Sequence, residues 1–253
     1  MGVMKLNPDA KAAILGLLVM MSLLLVGALK GSLGQIGPDN DDVMRLVQIQ
    51  DLLSGQGWFD VSQARLGPDG GTAMHWSRIA DIPILLLKAL FDLFLSADTA
   101  LVWAYTVWPP LSVLLVMAGL YIGARHIADT FAALFCLGLA AIMFAGHFRF
   151  LPGAIDHHNI QFGLLALALG LMLDPERRAG RMAGAGFALA LSVAVGVEVY
   201  AFVAVMCVFA ALDWVWAGQA ARKGAIGFGA GLAAGLELAF FATVAPADYR
   251  LVA

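Results

Sequence analysis

Three of the five histidines in the chain stand in one short stretch, His147-Phe148-Arg149-Phe150-Leu151-Pro152-Gly153-Ala154-Ile155-Asp156-His157-His158-Asn159. Pro152-Gly153 ends any helix arriving from the N-terminal side, and Asp156 can cap a helix that starts after it. Asp156 and His158 lie two apart where the chain enters that helix, so their side chains can converge on one ion. A carboxylate oxygen and an imidazole nitrogen suit a divalent cation of the Mg, Mn or Zn range. Ionisable groups at a membrane boundary also point to function by default. The same residues can serve equally as an N-cap with interfacial histidines. A second polar cluster, Asp39-Asn40-Asp41-Asp42, puts three carboxylates within four residues at a helix start. That exceeds what capping requires. It reads either as an acidic cap with Arg45 as its neighbour or as a set of hard oxygen ligands.

The elements that must carry these clusters belong to a membrane protein. The chain is 61% hydrophobic and only 13% charged, with a mean hydropathy of +0.85, far too apolar for a soluble domain. A net charge of −3 offers no basic face to nucleic acid. Cys136 and Cys207 fall inside apolar runs, where they are expected to act as small packing residues. They form no disulfide or thiolate-metal spacing.

Lys5 and Lys11 precede an uncharged run from Ala12 to Leu29, long enough to cross a bilayer core of about 30 Å. No small-residue cleavage site follows it, so it reads as a retained transmembrane helix starting in the cytoplasm. Residues 30–99 form the longest polar segment and the first outer loop. Within it, Val43 to Leu53 is an amphipathic helix with Leu46, Ile49 and Leu53 on its apolar face, beside Val47. Gly55-Gln56-Gly57 and Gly67-Pro68-Asp69-Gly70-Gly71 predict a loop of little regular structure. His75-Trp76-Ser77-Arg78 could hold a phosphate at headgroup level or serve as an aromatic anchor.

Ile82 to Leu95 is too short to span, and Lys88 and Asp92 share one of its faces, so it is expected to lie in the interface. With that segment out of the membrane, Arg125-His126, Arg177-Arg178, Arg181 and Arg222-Lys223 all collect on the cytoplasmic side. Spanning helices are predicted near 100–123, 127–146, 159–173, 183–198, 200–216 and 225–245, with Glu198 at a weak break and Glu237 deep in the last. Gly227, Gly231 and Gly235 recur every four residues, a ridge for close helix contact. The fold class is therefore an all-α polytopic membrane protein of about seven transmembrane helices. Its first outer loop, 30–99, carries interfacial helices, and a second outer loop, 147–158, emerges on the same face.

This plan resembles the GT-C glycosyltransferases, and among them the catalytic subunit of oligosaccharyltransferase and its single-subunit relatives. Asn40-Asp41-Asp42 stands where that family places a first-loop metal-binding Asp. Asp156-His157-His158 resembles its second-loop D-x-H motif, and Arg149 matches an Arg kept seven residues before the Asp. The family's later outer loop, with its Glu and donor-binding Arg, and its W-W-D acceptor motif have no counterpart here. The chain is accordingly expected to be the N-terminal part, 1–253, of a longer protein.

The resemblance implies a divalent metal, Mg or Mn, held by Asp41, Asp156 and His158, with Asp42 as the alternative to Asp41. Arg149 would orient the donor or the acids, and Asp41, Arg149 and Asp156 would form the catalytic set. The implied reaction moves a sugar or glycan from a polyprenyl-phosphate or pyrophosphate carrier to an acceptor. It would take place on the outer, periplasmic face of a bacterial inner membrane. Polyprenyl-linked donor and membrane lipid are the expected partners. A transporter or lipid-binding protein, or an enzyme of this class acting on a lipid or polysaccharide acceptor, is the alternative.

Overall fold

A computed structural model describes residues 6–68 and 70–250. Lys5, Asp69 in its expected turn and the last three residues lie outside the described residues. The architecture is all-α apart from one two-residue antiparallel pairing, β1 (Ser62–Gln63) with β2 (Thr72–Ala73). Among the described residues, nine α-helices run in chain order: α1 (Pro8–Leu29), α2 (Asn40–Leu53), α3 (Ile82–Phe91), α4 (Ala97–Ile127), α5 (Thr130–Phe144), α6 (His158–Met172), α7 (Ala179–Val195), α8 (Tyr200–Ala217) and α9 (Arg222–Thr243). Among the described residues, four stretches are long and apolar enough to cross a membrane: Pro8–Leu29, Ala97–Ile127, Val197–Ala220 and Arg222–Thr243. α5, α6 and α7 are shorter apolar helices. The chain is thus a helical membrane protein by length and composition.

All helices except α2 and α3 run alternately between two ends of one bundle. At the polar end, Gly37 N–H donates to Gly153 O at 2.8 Å and Gly153 N–H to Tyr105 O at 3.2 Å. There too, Gln161 Nε2 donates to Gly196 O at 3.0 Å and Trp58 Nε1 to Ala242 O at 2.6 Å. At the basic end, Tyr121 Oη donates to Asp9 Oδ1 at 2.8 Å, and Arg177 forks onto Asp213 at 2.7 and 2.8 Å. Asp174 gathers Arg178 and Arg181, each at 3.3 Å, at the same end. The segments 30–99 and 147–158 therefore meet at one end, opposite Arg177, Arg178 and Arg181.

Two glycine ridges set the closest packing. α7 lies along α9, where a Cβ on Gly227 or Gly231 would collide with the carbonyl oxygens of Ala179 and Ala183. α4 lies along α6, where Gly119 and Gly170 each leave no room for a Cβ against the other helix. Such contacts replace the hydrophobic drive that helices lack in lipid with dispersion between backbones.

The first polar segment departs from expectation in its buried faces. The fully buried side chains of α2 are Asp42, Arg45, Gln48 and Ile49, whereas Leu53 is 47% exposed. A polar stripe faces inward beside the expected apolar one, of which Ile49 is fully buried and Leu46 packs against the same cluster. Arg45 pairs with Asp81 at 3.0 Å and does not neutralise the acids at its own helix start. Arg78 is buried too, donating to Gln48 O at 3.0 Å and to Gln56 Oε1 and Asp60 O at 2.7 Å each, so it cannot face a lipid headgroup. Trp76 is buried beneath Arg45, whose guanidinium lies 5.0 Å over its ring. α3 ends at Phe91, and Lys88 and Asp92 pair on it at 2.7 Å. α7 stops at Val195, so Glu198 sits in a 3₁₀ turn and not at a helix end. Cys136 is exposed on α5, not packed inside. Glu237 lies on an exposed face of α9 with no partner among the described residues.

Replacing Gly231 by Leu should destabilise the detergent-solubilised protein by about 1–3 kcal/mol through overpacking against α7. Gly229→Leu, where a Cβ meets open space, should leave the thermal midpoint nearly unchanged; equal effects of the two would refute the close α7–α9 contact.

Candidate functional site

The site is built on a loop that the neighbouring helices hold rigidly. Pro109 stands inside α4 and has no N–H, which frees the carbonyl of Tyr105 four residues earlier. Gly153 N–H takes that acceptor, and Gly153 O in turn accepts from Gly37. The residue has φ +84°, and a Cβ on it would strike Gln35 O, so only glycine fits both the conformation and the space. From this tie the chain enters α6, and Asp156, His157 and His158 sit at its first turn.

Asp156 is 3% exposed and is the hub of the cluster. Its Oδ2 accepts from Arg149 Nη1 at 2.9 Å, and its backbone N–H donates to Asp42 Oδ1 at 2.8 Å. Arg149 Nη1 also reaches Asp39 Oδ2 at 3.4 Å, linking the two loops through one guanidinium. His157 Nδ1 lies 2.6 Å from Asp156 Oδ1, outside the direction of its N–H, and its Nε2 lies 3.4 Å from Glu198 Oε2. Both nitrogens of this 2%-exposed ring lack a hydrogen-bond partner among the described residues. His158 Nε2 lies 3.4 Å from Asp156 Oδ2.

The orientation of His158 follows from its neighbours. Gln161 Nε2 donates to Gly196 O at 3.0 Å and contacts Glu198 Oε2 at 3.4 Å. Its Oε1 therefore faces His158 Nδ1, 3.2 Å away, and accepts from it. This assigns the proton to Nδ1 and leaves the Nε2 lone pair pointing towards Asp156, the arrangement an imidazole ligand needs. Asp156, His157 and His158 each offer one ligand atom, and these atoms lie within 4.8 Å of one another. One carboxylate and two imidazoles, one of them with orphaned buried nitrogens, fit a divalent cation. Nitrogen donors suit Mn or Zn better than Mg, which prefers oxygen.

Electrostatics separates the two buried acids. Asp42 is pushed up to about 6 by burial first, and by the charges of Asp156 and Asp39, against the lowering effect of the Asp156 N–H. Burial also works to raise Asp156. The neighbouring His157 and His158 side chains outweigh it and hold the group below the usual carboxylate range. Beside the cluster opens a cavity of about 530 Å³, bordered by Lys30, Asp39, Asp42, Phe148 and Arg149. Arg149 also lies 5.0 Å over the ring of Phe148.

Of the residues singled out in the sequence, Asp42, Arg149, Asp156 and His158 come together. Asp41 does not join them. Its N–H donates to Asp39 Oδ1 at 3.2 Å, and among the described residues no contact links its carboxylate to Asp156. One helical position decides this, since α2 turns Asp42 inward and Asp41 towards the surface. His157, Gln161 and Glu198 join the site without having been assigned to it from sequence. Adjacent position to the D-x-H pair was the only sequence signal for His157, and none marked Gln161. Comparison with known protein families, curated proteins and solved structures gives no match.

Asp42 supplies a pH prediction. Its folded pKa lies above its unfolded value near 3.8, so ionisation costs stability as pH rises from about 4 to 6, by roughly 3 kcal/mol in all. Asp42→Asn keeps the acceptor for Asp156 N–H and removes that cost. In chelator-treated protein the variant should melt higher than wild type at pH 7.5 and no higher at pH 4. A gain independent of pH would refute it.

Proposed function

We propose that the polar end of the bundle is the active site of a GT-C-type membrane glycosyltransferase. Its reaction moves a sugar or glycan from a polyprenyl-phosphate or pyrophosphate carrier to an acceptor at the outer face. The observation that carries this reading is the buried Asp156 carboxylate, shared by Arg149 and two histidines beside an open cavity at a membrane-helix end. Breaking a glycosyl–phosphate bond leaves negative charge on the departing phosphate, and a site of this kind must neutralise it. Asp156, His157 and His158 would hold a divalent cation, Mn or Zn by their donor set, and that ion would supply Lewis-acid stabilisation of the leaving phosphate.

The chain's own residues do the rest. Arg149 holds Asp156 through Oδ2 and presents its remaining N–H donors to the cavity, where Lys30 adds a second cation. Asp42 fixes the Asp156 backbone through its N–H. Gln161 sets the His158 tautomer, and Glu198 faces His157 from the 3₁₀ turn after α7. The buried floor of Arg45, Trp76 and Asp81 keeps water from the back of the His157 ring, whose centroid is 5.6 Å from that of Trp76.

On this reading α1 and α4 to α9 form seven spans. The arginines at the basic end, by the positive-inside rule, face the cytoplasm of a bacterial inner membrane. The site then faces the periplasm. A transporter reading places its charged groups at the bilayer midplane on broken helices, whereas this cluster lies at the bundle end.

Asp156→Asn keeps the size and one of the two hydrogen-bond acceptors while removing the charge. The variant and His158→Ala should each insert normally, bind Mn more weakly and lower transfer from a polyprenyl-pyrophosphate-linked saccharide roughly 10²-fold. His157→Ala should be as damaging as His158→Ala. Wild-type turnover and metal dependence in both Asp156→Asn and His158→Ala would overturn the assignment.

A further inference from the structure

The turn between α7 and α8 reaches into the histidine cluster from outside it. α7 stops at Val195, and the chain crosses Gly196 into the 3₁₀ turn Val197–Val199 before α8 begins. A Cβ on Gly196 would collide with Glu198 Oε2, Gln161 Nε2 and His157 Cδ2. Three polar side chains from two elements therefore converge on the bare backbone of one glycine. Its φ of −174° is extended backbone open to any residue, so what the position requires is space and not an unusual conformation.

Each edge of the buried His157 ring has a defined neighbour. Cδ2 rests against Gly196, Nδ1 lies 2.6 Å from Asp156 Oδ1, and Nε2 lies 3.4 Å from Glu198 Oε2. Turning the ring over would exchange each nitrogen for a carbon and set carbon against both carboxylates. A neutral imidazole has one proton to give, and two carboxylates face it. Asp156 is already engaged, since Oδ1 accepts the His157 backbone N–H at 2.6 Å and Oδ2 accepts from Arg149 at 2.9 Å. Glu198 Oε2 receives only Gln161 Nε2, at 3.4 Å. The proton therefore belongs on Nε2, facing Glu198, and the Nδ1 lone pair faces the point where the ligand atoms of the cluster converge. The Nε2–Oε2 contact is too long and too far off line to be a hydrogen bond in the free protein. Contacts of this kind at reactive sites commonly tighten when the ligand settles.

We propose that Glu198 is a positioning residue of the cation site: its carboxylate takes the Nε2–H of His157 and so leaves Nδ1 free to ligate a divalent cation beside Asp156. Gln161 does the same for His158 from the opposite nitrogen, and its amide touches Glu198 as well. A carboxylate behind a ligating imidazole fixes the tautomer and raises the basicity of the ligand nitrogen. This role rests on Asp156, His157 and His158 being a cation site and is independent of glycosyl transfer.

The test titrates Co(II), whose d–d bands report its ligands, into the whole chelator-treated protein in detergent. Wild type should bind the ion, and Glu198→Gln should bind it roughly 10- to 100-fold more weakly, with shifted bands. The metal-free melting temperature should change little, because the Glu198 side chain is 40% exposed. Glu176→Gln removes an exposed acid beside Arg178 at the opposite end and should match wild type throughout. In a His157→Ala background Glu198→Gln should cost no further affinity, because its effect passes through that ring. Wild-type affinity and bands in Glu198→Gln would overturn the proposal and leave the cation site standing. An equal loss in Glu176→Gln, or an undiminished loss in the His157→Ala background, would reduce Glu198 to its charge and overturn it too. Wild type that binds no Co(II) would overturn the cation site itself, and this role with it.

Discussion

Gly153 is the residue on which the polar end depends. Its N–H occupies the Tyr105 carbonyl that Pro109 leaves free inside α4, and its own carbonyl holds Gly37 at the entry to α2. Two loops far apart in sequence are thereby joined through main-chain atoms alone, close to a membrane helix. The geometry permits no side chain at this position, because φ is +84° and Gln35 O fills the space a Cβ would need. Everything that brings Asp42 to Asp156 follows from this tie.

Beneath the loops lies a second, charged layer. Arg45 and Asp81 are almost wholly buried and pair at 3.0 Å, and Arg78 stands 3.7 Å from the same carboxylate. Burial raises the Asp81 carboxyl, and the two guanidiniums oppose that rise. Buried pairs of this kind contribute little net stability, since desolvation offsets the Coulomb attraction. Their effect here is positional: Arg45 braces Trp76, and Trp76 walls one side of His157. The first polar segment is therefore a folded plug with its own ionic core and not a loose loop over the membrane surface.

The two ends of the bundle divide the charges by role. The polar end concentrates acids and histidines around a cavity, where the shared carboxylate of Asp156 is held ionised by the groups around it. The basic end is a set of straps: Arg177 clamps α8 through Asp213, and Asp174 gathers the α7 arginines. Between them α7 meets α9 and α4 meets α6 along glycine ridges, beside clusters of buried Leu, Met, Val and Phe side chains.

Hydrophobic runs, their breaks and the scatter of Lys and Arg were enough to determine a helical membrane chain, a short separate helix at α3 and the glycine ridge on α9. Those properties are local or additive along the chain, and transfer of apolar residues out of water decides them. The meeting of the 39–42 acids with the 147–158 loop was anticipated from charge distribution, but its register was not. Helical phase in α2 selects Asp42 over Asp41, and that phase is set by what α2 packs against. The same is true of its buried Arg45, which looks like a surface residue in sequence because its partner, Asp81, is 36 positions away. Gln161 and Glu198 meet at the site only through the α6–α7 packing that brings Gly196 to Gln161. Composition and periodicity report what each segment prefers; which buried polar group meets which is a property of the packed bundle, where each unpaired one carries a desolvation cost.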